Sequence, residues 1–500
     1  MIGKSPAGQE PAHISGRLIR PLVAAGILFL FGMWALASAW GGRFFVPPPW
    51  RTLVDTAVLL SAGGTWRQIL ITLMRVMAGF AAGFAAGAAA GIAAGSSREL
   101  NDLLKPTILF FQGIPPILWA IPLIVLMGIG HLPTISVIAL ITFPLVAVTI
   151  GEGMTTLPRE LREMLHIFAP GFSPRLRELV LPHLKPFLAA SVKLGLVLAA
   201  KASVTAEYFG ANNGIGFQIQ AAYQSMQIRR LFAWASILIL VILFANHLLP
   251  RIGLLAMRAR RLLVRREPRE SSIADIRELK GIFLARSSTP RIRLDSVAFS
   301  YRGGPRLLDR VSLSVSSKEI AVIEGDSGIG KTTLLKIAAS ILRPTEGRVS
   351  CPAKIGFVFQ DDRLLPWRSA SENAALPLVY RGRSCASASS FASFLLAEAG
   401  MAGEEYKKPE ELSGGMRKRV ALARCFARIP DAILLDEPFS GLHKEARKHL
   451  WEMFLRLLSL HPVPVIVVTH FPEEIASAAP CRVYSLKGKP ATLSRRTKPS

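Results

Sequence analysis

Residues 325–333, with the sequence Gly-Asp-Ser-Gly-Ile-Gly-Lys-Thr-Thr, have the spacing of a phosphate-binding loop. Glycines let backbone N–H groups turn toward phosphate oxygens, and a helix after the loop points its positive end at the same anion. The apolar run 320–323 predicts a buried strand before the loop, and residues 334–342 predict a helix after it. We therefore expect bound phosphate to meet Gly325, Asp326, Ser327, Gly328, Ile329, Gly330, Lys331, Thr332 and Thr333.

Cleavage of a bound phosphate chain would also need a metal ion and an activated water molecule, and further side chains could hold them. Lys331 would add a mobile charge for the terminal phosphates, and the Thr332 hydroxyl could ligate magnesium. Asp436 and Glu437 follow the apolar run 432–435, and the carboxyl ends of parallel strands are where ligands bind in open α/β sheets. Asp436 could hold magnesium through water, while Glu437 is placed to polarise an attacking water.

A histidine completes the set. His470 ends the apolar run 465–469 and could reach the terminal phosphate, although a single strand-end histidine is more often structural. Together with the glycine loop and the two carboxylates, it predicts hydrolysis of a nucleoside triphosphate.

Composition divides the 500 residues into two halves. The chain is 51% hydrophobic and 19% charged, and the apolar excess lies before Pro250, which indicates a membrane half followed by a soluble half. The net charge of +26 does not indicate nucleic-acid binding, because arginines cluster beside apolar segments and no nucleic-acid module is present. The cysteines are widely spaced in the soluble half, which fits a reducing cytosol: Cys351, Cys385, Cys425 and Cys481.

Apolar stretches long enough to cross a bilayer predict about six helices, near residues 22–40, 69–94, 106–128, 132–150, 187–206 and 231–249. The first is interpreted as a transmembrane helix, not a signal peptide. The second carries glycines at every fourth position, which predicts close approach of another helix: Gly79, Gly83, Gly87, Gly91 and Gly95. The third contains Pro115, Pro116 and Pro122 and should be kinked or broken.

The soluble half predicts an α/β fold. Runs at 292–299, 311–315, 432–435, 465–468 and within 349–359 are expected strands, and helical stretches alternate with the later ones. The expected organisation is a disordered tail over 1–20, a transmembrane domain over 21–255, a linker over 256–290 and an ATPase domain over 291–490. We interpret the linker arginines as a lipid-headgroup anchor.

The segment Leu412-Ser413-Gly414-Gly415-Met416 resembles the signature sequence of ABC transporter ATPases, and the phosphate loop and the Leu-Leu-Asp-Glu-Pro run flank it in that family's order. The resemblance implies ATP and Mg²⁺ as cofactors, with Thr332, Gln360 and Asp436 at the metal. It implies that Tyr301 stacks on adenine, that Gln360 senses magnesium and the membrane domain, and that Glu437, His470 and Gln360 are catalytic. It also implies that Ser413, Gly414 and Gly415 contact ATP bound to an opposite subunit.

The membrane half resembles ABC importer permeases. Glu163, Ala169 and Leu181-Pro182 match their coupling-loop pattern, so residues 159–182 are expected to dock beside the Gln360 segment. Stretches such as Gly113-Ile114-Pro115-Pro116 and Arg363-Leu364-Leu365-Pro366-Trp367 are similar to nitrate, sulfonate and taurine importers. The resemblance implies ATP-driven import of a small anion across a bacterial inner membrane. It further implies an extracytoplasmic solute-binding protein and a cytoplasmic ATPase domain and N-terminus.

Some features leave alternatives open. His443, Lys418 and Phe471 depart from the family pattern, and His443 stands where aspartate is usual, so a non-transporting ATP-sensing assembly is one rival; an exporter is another. Fusion of both halves favours a homodimer, but a heterodimer is also compatible. Lys193 and Lys201 lie within a predicted membrane helix and could serve an anionic substrate, or snorkel or pair with a carboxylate. Glu207 is expected to be structural.

Overall fold

The computed structural model describes residues 16–42, 45–244, 271–284, 290–301 and 303–496. Its contacts divide the chain into two compact units. The first contains residues 1–156 and 184–261, and the second contains residues 157–183 and 262–500.

The first unit is helical. Its helices are α1 (Gly16–Trp40), α2 (Pro49–Ser61), α3 (Gly63–Ser96), α4 (Arg98–Gly113), α5 (Pro116–Met127), α6 (His131–Thr155), α9 (Leu181–Gly210), α10 (Ile215–Gln224) and α11 (residues 228–244). Within the described residues, three helices are long and apolar enough to cross a membrane, or four if the bent pair α4–α5 is one span. The last predicted span, 231–249, extends beyond the described residues. Of the expected tail, residues 1–15 are not described, and α1 already begins at Gly16 because a helix can continue past its apolar part.

The glycine stripe on α3 is the contact surface for α6, as predicted. A Cβ atom at Gly87 would lie 2.6 Å from the Phe143 carbonyl oxygen, and one at Gly91 would lie 2.6 Å from the Ala147 carbonyl oxygen. Both obstacles are backbone atoms, so the two helices could not stay this close with larger residues.

The predicted break in the third apolar stretch is also confirmed. Helix α4 ends at Gly113, α5 begins at Pro116, and their axes differ by 94°. Pro115 and Pro116 have no N–H group to continue the helix.

A buried polar cluster joins α3, α9 and the start of α10. The Arg75 guanidinium lies 2.9 Å from Glu207 Oε1, and their side chains are 1% and 0% exposed. Glu207 Oε2 also accepts from the Thr72 hydroxyl and the Gly216 N–H, each at 2.9 Å. The Arg75 Nε donates to His131 Nδ1 at 3.2 Å. Because the carboxylate is paired and hydrogen-bonded, its burial is tolerated, which agrees with a structural role for Glu207.

The second unit contains two sheets. The six-stranded sheet has the order β5 (Ile355–Val358), β6 (Ala432–Asp436), β7 (Val465–Val468), β3 (Ile320–Glu324), β8 (Arg482–Lys487), β9 (Thr492–Arg495), and only the β8–β9 pair is antiparallel. The antiparallel sheet has the order β2 (Arg306–Val315), β1 (Ile292–Ser300), β4 (Glu346–Ser350). The predicted α/β fold is confirmed. The expected strand in 349–359 is two strands, because β4 and β5 join different sheets.

Helices surround the larger sheet in this unit. They are α7 (Arg159–Phe168), α8 (Phe172–Arg175), α12 (Ser271–Leu284), α13 (Lys331–Ala338), α14 (Ala370–Val379), α15 (Cys385–Glu398), α16 (Gly414–Ala427), α17 (Lys444–Leu460) and α18 (Pro472–Ala478). A π-helical turn at Leu176–Val180 joins α8 to α9.

Helix α12 lies in the expected linker, and its position differs from that expectation. Leu279 and Phe283 are 2% and 0% exposed and belong to the core of the second unit. The Phe283 ring stacks on His461 at 4.9 Å, and Glu278 pairs with Arg383 at 2.7 Å. Two apolar residues four positions apart suffice to bury one helix face, a signal too short to find in a charged segment. The arginine cluster at 251–266 lies outside the described residues.

Candidate nucleotide-binding and hydrolysis site

The phosphate loop connects β3 to α13. Gly328 and Gly330 adopt φ angles of 78° and 109°, and Gly330 is the residue before the first turn of α13. These conformations favour glycine and curve the loop backbone at the N-terminus of α13. The Lys331 Nζ donates to the carbonyl oxygens of Gly325 at 2.8 Å and Asp326 at 3.0 Å. Burial lowers the pKa of Lys331, although Glu437 and Asp436 oppose that shift.

Thr332 and Asp436 form the pair that suits magnesium. The Thr332 hydroxyl donates to Asp436 Oδ1 at 3.0 Å, and the Asp436 side chain is buried at the carboxyl end of β6. Burial raises the pKa of Asp436 to about 6, and the neighbouring Glu437 adds to the shift. Among the described residues no group of three His, Cys, Asp or Glu side chains could hold a metal by itself. One carboxylate and one hydroxyl beside a phosphate loop nevertheless fit magnesium, which usually takes its other ligands from phosphate and water.

Glu437 is the centre of a second group of side chains. Its carboxylate lies 3.0 Å from His470 Nε2 and 3.9 Å from Lys331 Nζ, and the Gln360 amide approaches it at 3.5 Å. His470 Nε2 is also 3.4 Å from Lys331 Nζ. The Glu437 backbone has a φ angle of 44°, a conformation that costs about 1–3 kcal/mol outside glycine and is held by its N–H bond to Val468 O. The fold thus brings together residues from four separate segments.

Of the other predicted ATP contacts, Tyr301 lies beside the phosphate loop, whereas Ser413, Gly414 and Gly415 lie at the N-terminus of α16. Tyr301 is half exposed after β1, and its hydroxyl hydrogen-bonds the Thr333 hydroxyl at 3.2 Å. Ser413 is the N-cap of α16 and accepts from the Met416 N–H, while the space around Gly415 is open. Within the described residues no hydrogen bond joins residues 413–415 to the phosphate loop of the same chain.

Cations on α16 hold the backbone around Gln360, a contact that the sequence did not reveal. The Lys418 Nζ donates to Gln360 O at 2.5 Å and lies 3.2 Å from Asp362 Oδ1. The buried Arg424 donates to the carbonyl oxygens of Asp362 at 2.7 Å and Arg363 at 2.8 Å. The departure at Lys418 therefore has a partner, and it links the helix that begins at Ser413 to the Gln360 segment.

Glu163 of α7 joins the Gln360 segment to the phosphate-loop helix. Its carboxylate accepts from Lys336 of α13 at 2.9 Å and from Arg363 at 2.8 Å. Burial raises the pKa of Glu163, but the two cations outweigh it, so the net shift is downward. A displacement of either α13 or the Gln360 segment would therefore move α7 or break one of the Glu163 ion pairs.

A second carboxylate within residues 159–182, which sequence reasoning missed, anchors the other end of that segment. Glu178 lies 2.6 Å from Arg368 and accepts from the Tyr380 hydroxyl at 2.5 Å. The Trp367 indole donates to the Glu178 carbonyl oxygen at 3.0 Å. Trp367 therefore ties the segment after Gln360 to residues 159–182.

The departures at His443 and Phe471 lie on either side of Arg447. Exposed His443 precedes α17 and makes no side-chain cap. Arg447, one turn later, donates to Leu442 O at 2.7 Å, pairs with Glu474 at 2.7 Å and lies over the Phe471 ring at 4.2 Å. Arg447 therefore ties the loop after Glu437 to the turn after His470.

The phosphate loop, the strand-end carboxylates and the Ser-Gly-Gly helix end define an ATP-hydrolysing domain of the ABC type. A family model described as "ABC transporter" matches residues 308–440, and one described as "Binding-protein-dependent transport system inner membrane component" matches residues 79–255. An aliphatic sulfonates import ATP-binding protein of Mesorhizobium japonicum is 38% identical over 198 residues, which are 38% of this chain and 75% of that protein. A taurine import ATP-binding protein of Burkholderia pseudomallei is 40% identical over 183 residues, 35% of this chain and 70% of that protein.

A solved dimeric bacterial ABC transporter cassette is 32% identical and covers 39% of this chain and 94% of its own, with a TM-score of 0.36. The chain belongs to the ABC transporter family, and it joins a transport-system membrane component and an ATPase in one polypeptide.

Proposed function

We propose that this protein imports a small sulfonate-like anion through a bacterial inner membrane, driven by ATP hydrolysis. The observation that carries the proposal is Glu163. It belongs to the loop between two membrane helices and binds both the phosphate-loop helix, through Lys336, and the segment after Gln360, through Arg363. A short helix inserted this way couples nucleotide state to a membrane domain without long helix extensions, which disfavours an exporter.

At the site, Lys331 and the loop N–H groups would hold the phosphates of ATP, and Tyr301 would stack on adenine. Thr332, Asp436 and Gln360 would hold magnesium, which neutralises phosphate charge when bound. Glu437 would accept a proton from the attacking water, and His470 would hold Glu437 and the terminal phosphate in place. Lys331 is already within 3.9 Å of Glu437, so displacement of this lysine by phosphate would free the carboxylate.

The complete ATP site would need a second chain. The open backbone at Ser413, Gly414 and Gly415 would meet ATP held by the phosphate loop of a partner, and a helix N-terminus with small residues suits that contact. The simplest partner is a second copy, which would also supply the second membrane half.

The organisation would be a tail over 1–20, six spans over 21–255, a linker over 256–290 and the ATPase over 291–490. The N-terminus and ATPase would be cytoplasmic, because arginines concentrate between the fourth and fifth spans and after the sixth. An extracytoplasmic solute-binding protein would deliver the substrate. The named relatives act in sulfonate and taurine import, which supports a substrate of that class.

Uptake by the reconstituted protein tests the function. We would place the full chain in proteoliposomes with a purified sulfonate-binding solute-binding protein and measure ATP-dependent uptake of taurine, methanesulfonate and nitrate. We expect saturable uptake of at least one sulfonate. Glu437→Gln should retain ATP binding and abolish both hydrolysis and uptake. An active site that never hydrolyses ATP, even with the binding protein, would instead favour an ATP-sensing assembly.

A further inference from the structure

The break between α4 and α5 leaves polar backbone inside an apolar helical unit. Because Pro115 and Pro116 lack N–H groups, carbonyl oxygens in the last turn of α4 have no helical donors. Within a bilayer, such backbone is tolerated only where protein covers it or where it lines a water-filled space.

A cavity of about 380 Å³ lies at this break. Its walls are the break itself (residues 111–116), α6 at Ile141, Pro144 and Leu145, and α9 at Leu198. No heavy atom lies within 4 Å of a Cβ position at Gly113, so the space at the break is open. Pro116, the first residue of α5, lines the cavity, and the carbonyl oxygens freed at the break lie beside it.

Two lysines lie on the exposed side of α9. Its opposite side packs through Gly195, Ala199 and Ala206, whereas Lys193 and Lys201 are exposed. Neither ammonium has a hydrogen-bond or ion-pair partner within the part of the chain that the structure describes.

Lys201 is exposed although it lies well inside the predicted membrane-spanning part of α9. Lys201 lies nine residues before the end of α9 at Gly210, a distance of about 13 Å along the helix. An unpaired ammonium at that depth is costly in hydrocarbon, so intramembrane lysines normally face a partner or water. Leu198, less than one turn earlier, already lines the cavity at the break.

The alternatives for this side of α9 fit less well. Lipid would leave two charges in hydrocarbon, and close packing against the same face of a second copy would bring like charges together. A hydrated path satisfies both ammonium groups and concentrates anions.

We propose that Lys193 and Lys201, with the cavity at the α4–α5 break, line the translocation pathway and bind a passing oxyanion such as a sulfonate or carboxylate. This inference rests on the proposed import function and names the part of the membrane half through which the substrate moves.

Thiol labelling at Val197, midway between the lysines, tests the site without a known substrate. Val197→Cys would be made in a Cys385→Ser parent, because Cys385 is exposed. Burial raises the pKa of Cys351 and Cys425 to about 12 and also raises that of Cys481, so these thiols should react slowly. The probes are two membrane-impermeant methanethiosulfonates, one with a sulfonate group and one with a quaternary ammonium group.

We expect the sulfonate reagent to react at position 197 about tenfold faster than the ammonium reagent, because the two lysines attract anions. Adding Lys193→Met and Lys201→Met should remove the preference, and Lys193→Arg with Lys201→Arg should keep it. Leu126→Cys, 79% exposed on α5, a helix that contains no charged residue, is the control that neither charged reagent should label.

Two results would overturn the site: no reaction with either reagent at position 197, or equal rates that the Lys→Met changes leave unaltered. Either result in a protein that takes up taurine would leave the import function standing. If labelling is anion-selective but the protein takes up no tested anion, the result would support the lysine-lined pathway and count against the proposed import function.

Discussion

Replacing Lys418 by methionine removes a buried charge while keeping a chain of similar length. Lys418 is 7% exposed, and its ammonium donates to Gln360 O at 2.5 Å and lies 3.2 Å from Asp362. A hydrogen bond from a charged group contributes about 1.5–3 kcal/mol. If the loss acts wholly on the position of the Gln360 segment, it corresponds to about a 10- to 100-fold lower occupancy of the active arrangement.

The substitution should therefore lower the ATPase rate but leave the affinity for ATP nearly unchanged. In Lys418→Met we expect kcat to fall by up to about 100-fold, while the Kd for ATP changes by less than about threefold, because the Lys418 ammonium contacts Gln360 and Asp362 and, within the described part of the chain, makes no hydrogen bond or ion pair with the phosphate loop. The assays are phosphate release by the full-length protein and binding of a fluorescent ATP analogue.

The matched control is Arg417→Met. Arg417 is on the same helix and faces the same carboxylate, but at 3.5 Å and with 42% of its side chain exposed, so its loss should cost less than about 1 kcal/mol. A double-mutant cycle with Asp362→Asn would isolate the pair. The reasoning would be refuted by an unchanged kcat in folded Lys418→Met, or by a fall in kcat accompanied by an equal loss of ATP affinity.

Other predictions concern pH, packing and the linker. Because the folded pKa of Asp436 is raised from 3.8 to about 6, the nucleotide-free protein should lose about 2 kcal/mol of stability as pH rises from 4 to 6, and a pH series of Tm values should show this loss in the parent but not in Asp436→Asn. Gly87→Ala should separate α3 from α6 and lower the yield of folded protein in detergent, whereas Gly26→Ala, with nothing within 4 Å, should not. Phe283→Ala should destabilise the second unit by about 3–5 kcal/mol in denaturant titrations, and an unchanged midpoint would mean that α12 is not part of its core.

Contiguous patterns predicted much of the fold. The apolar runs at 320–323 and 465–468 became neighbouring parallel strands, and the proline cluster became a helix break, because each pattern acts on its own backbone. Helix α12 was missed for the converse reason. This helix is held by a groove that other segments build, and Leu279 and Phe283 are the only residues in its sequence that indicate the buried face.

The sequence by itself determined the pattern of the candidate ATP site, since the glycines, Lys331 and Thr332 of a phosphate-binding loop are contiguous in the chain. Only the tertiary structure decided how that site connects to the rest of the chain. Three contacts show this, because each joins segments that are far apart in sequence: Lys418 with Gln360, Glu163 with Lys336, and Arg75 with Glu207. Such pairs follow from the packing of whole elements, and a charged residue alone does not specify which distant group will compensate its burial.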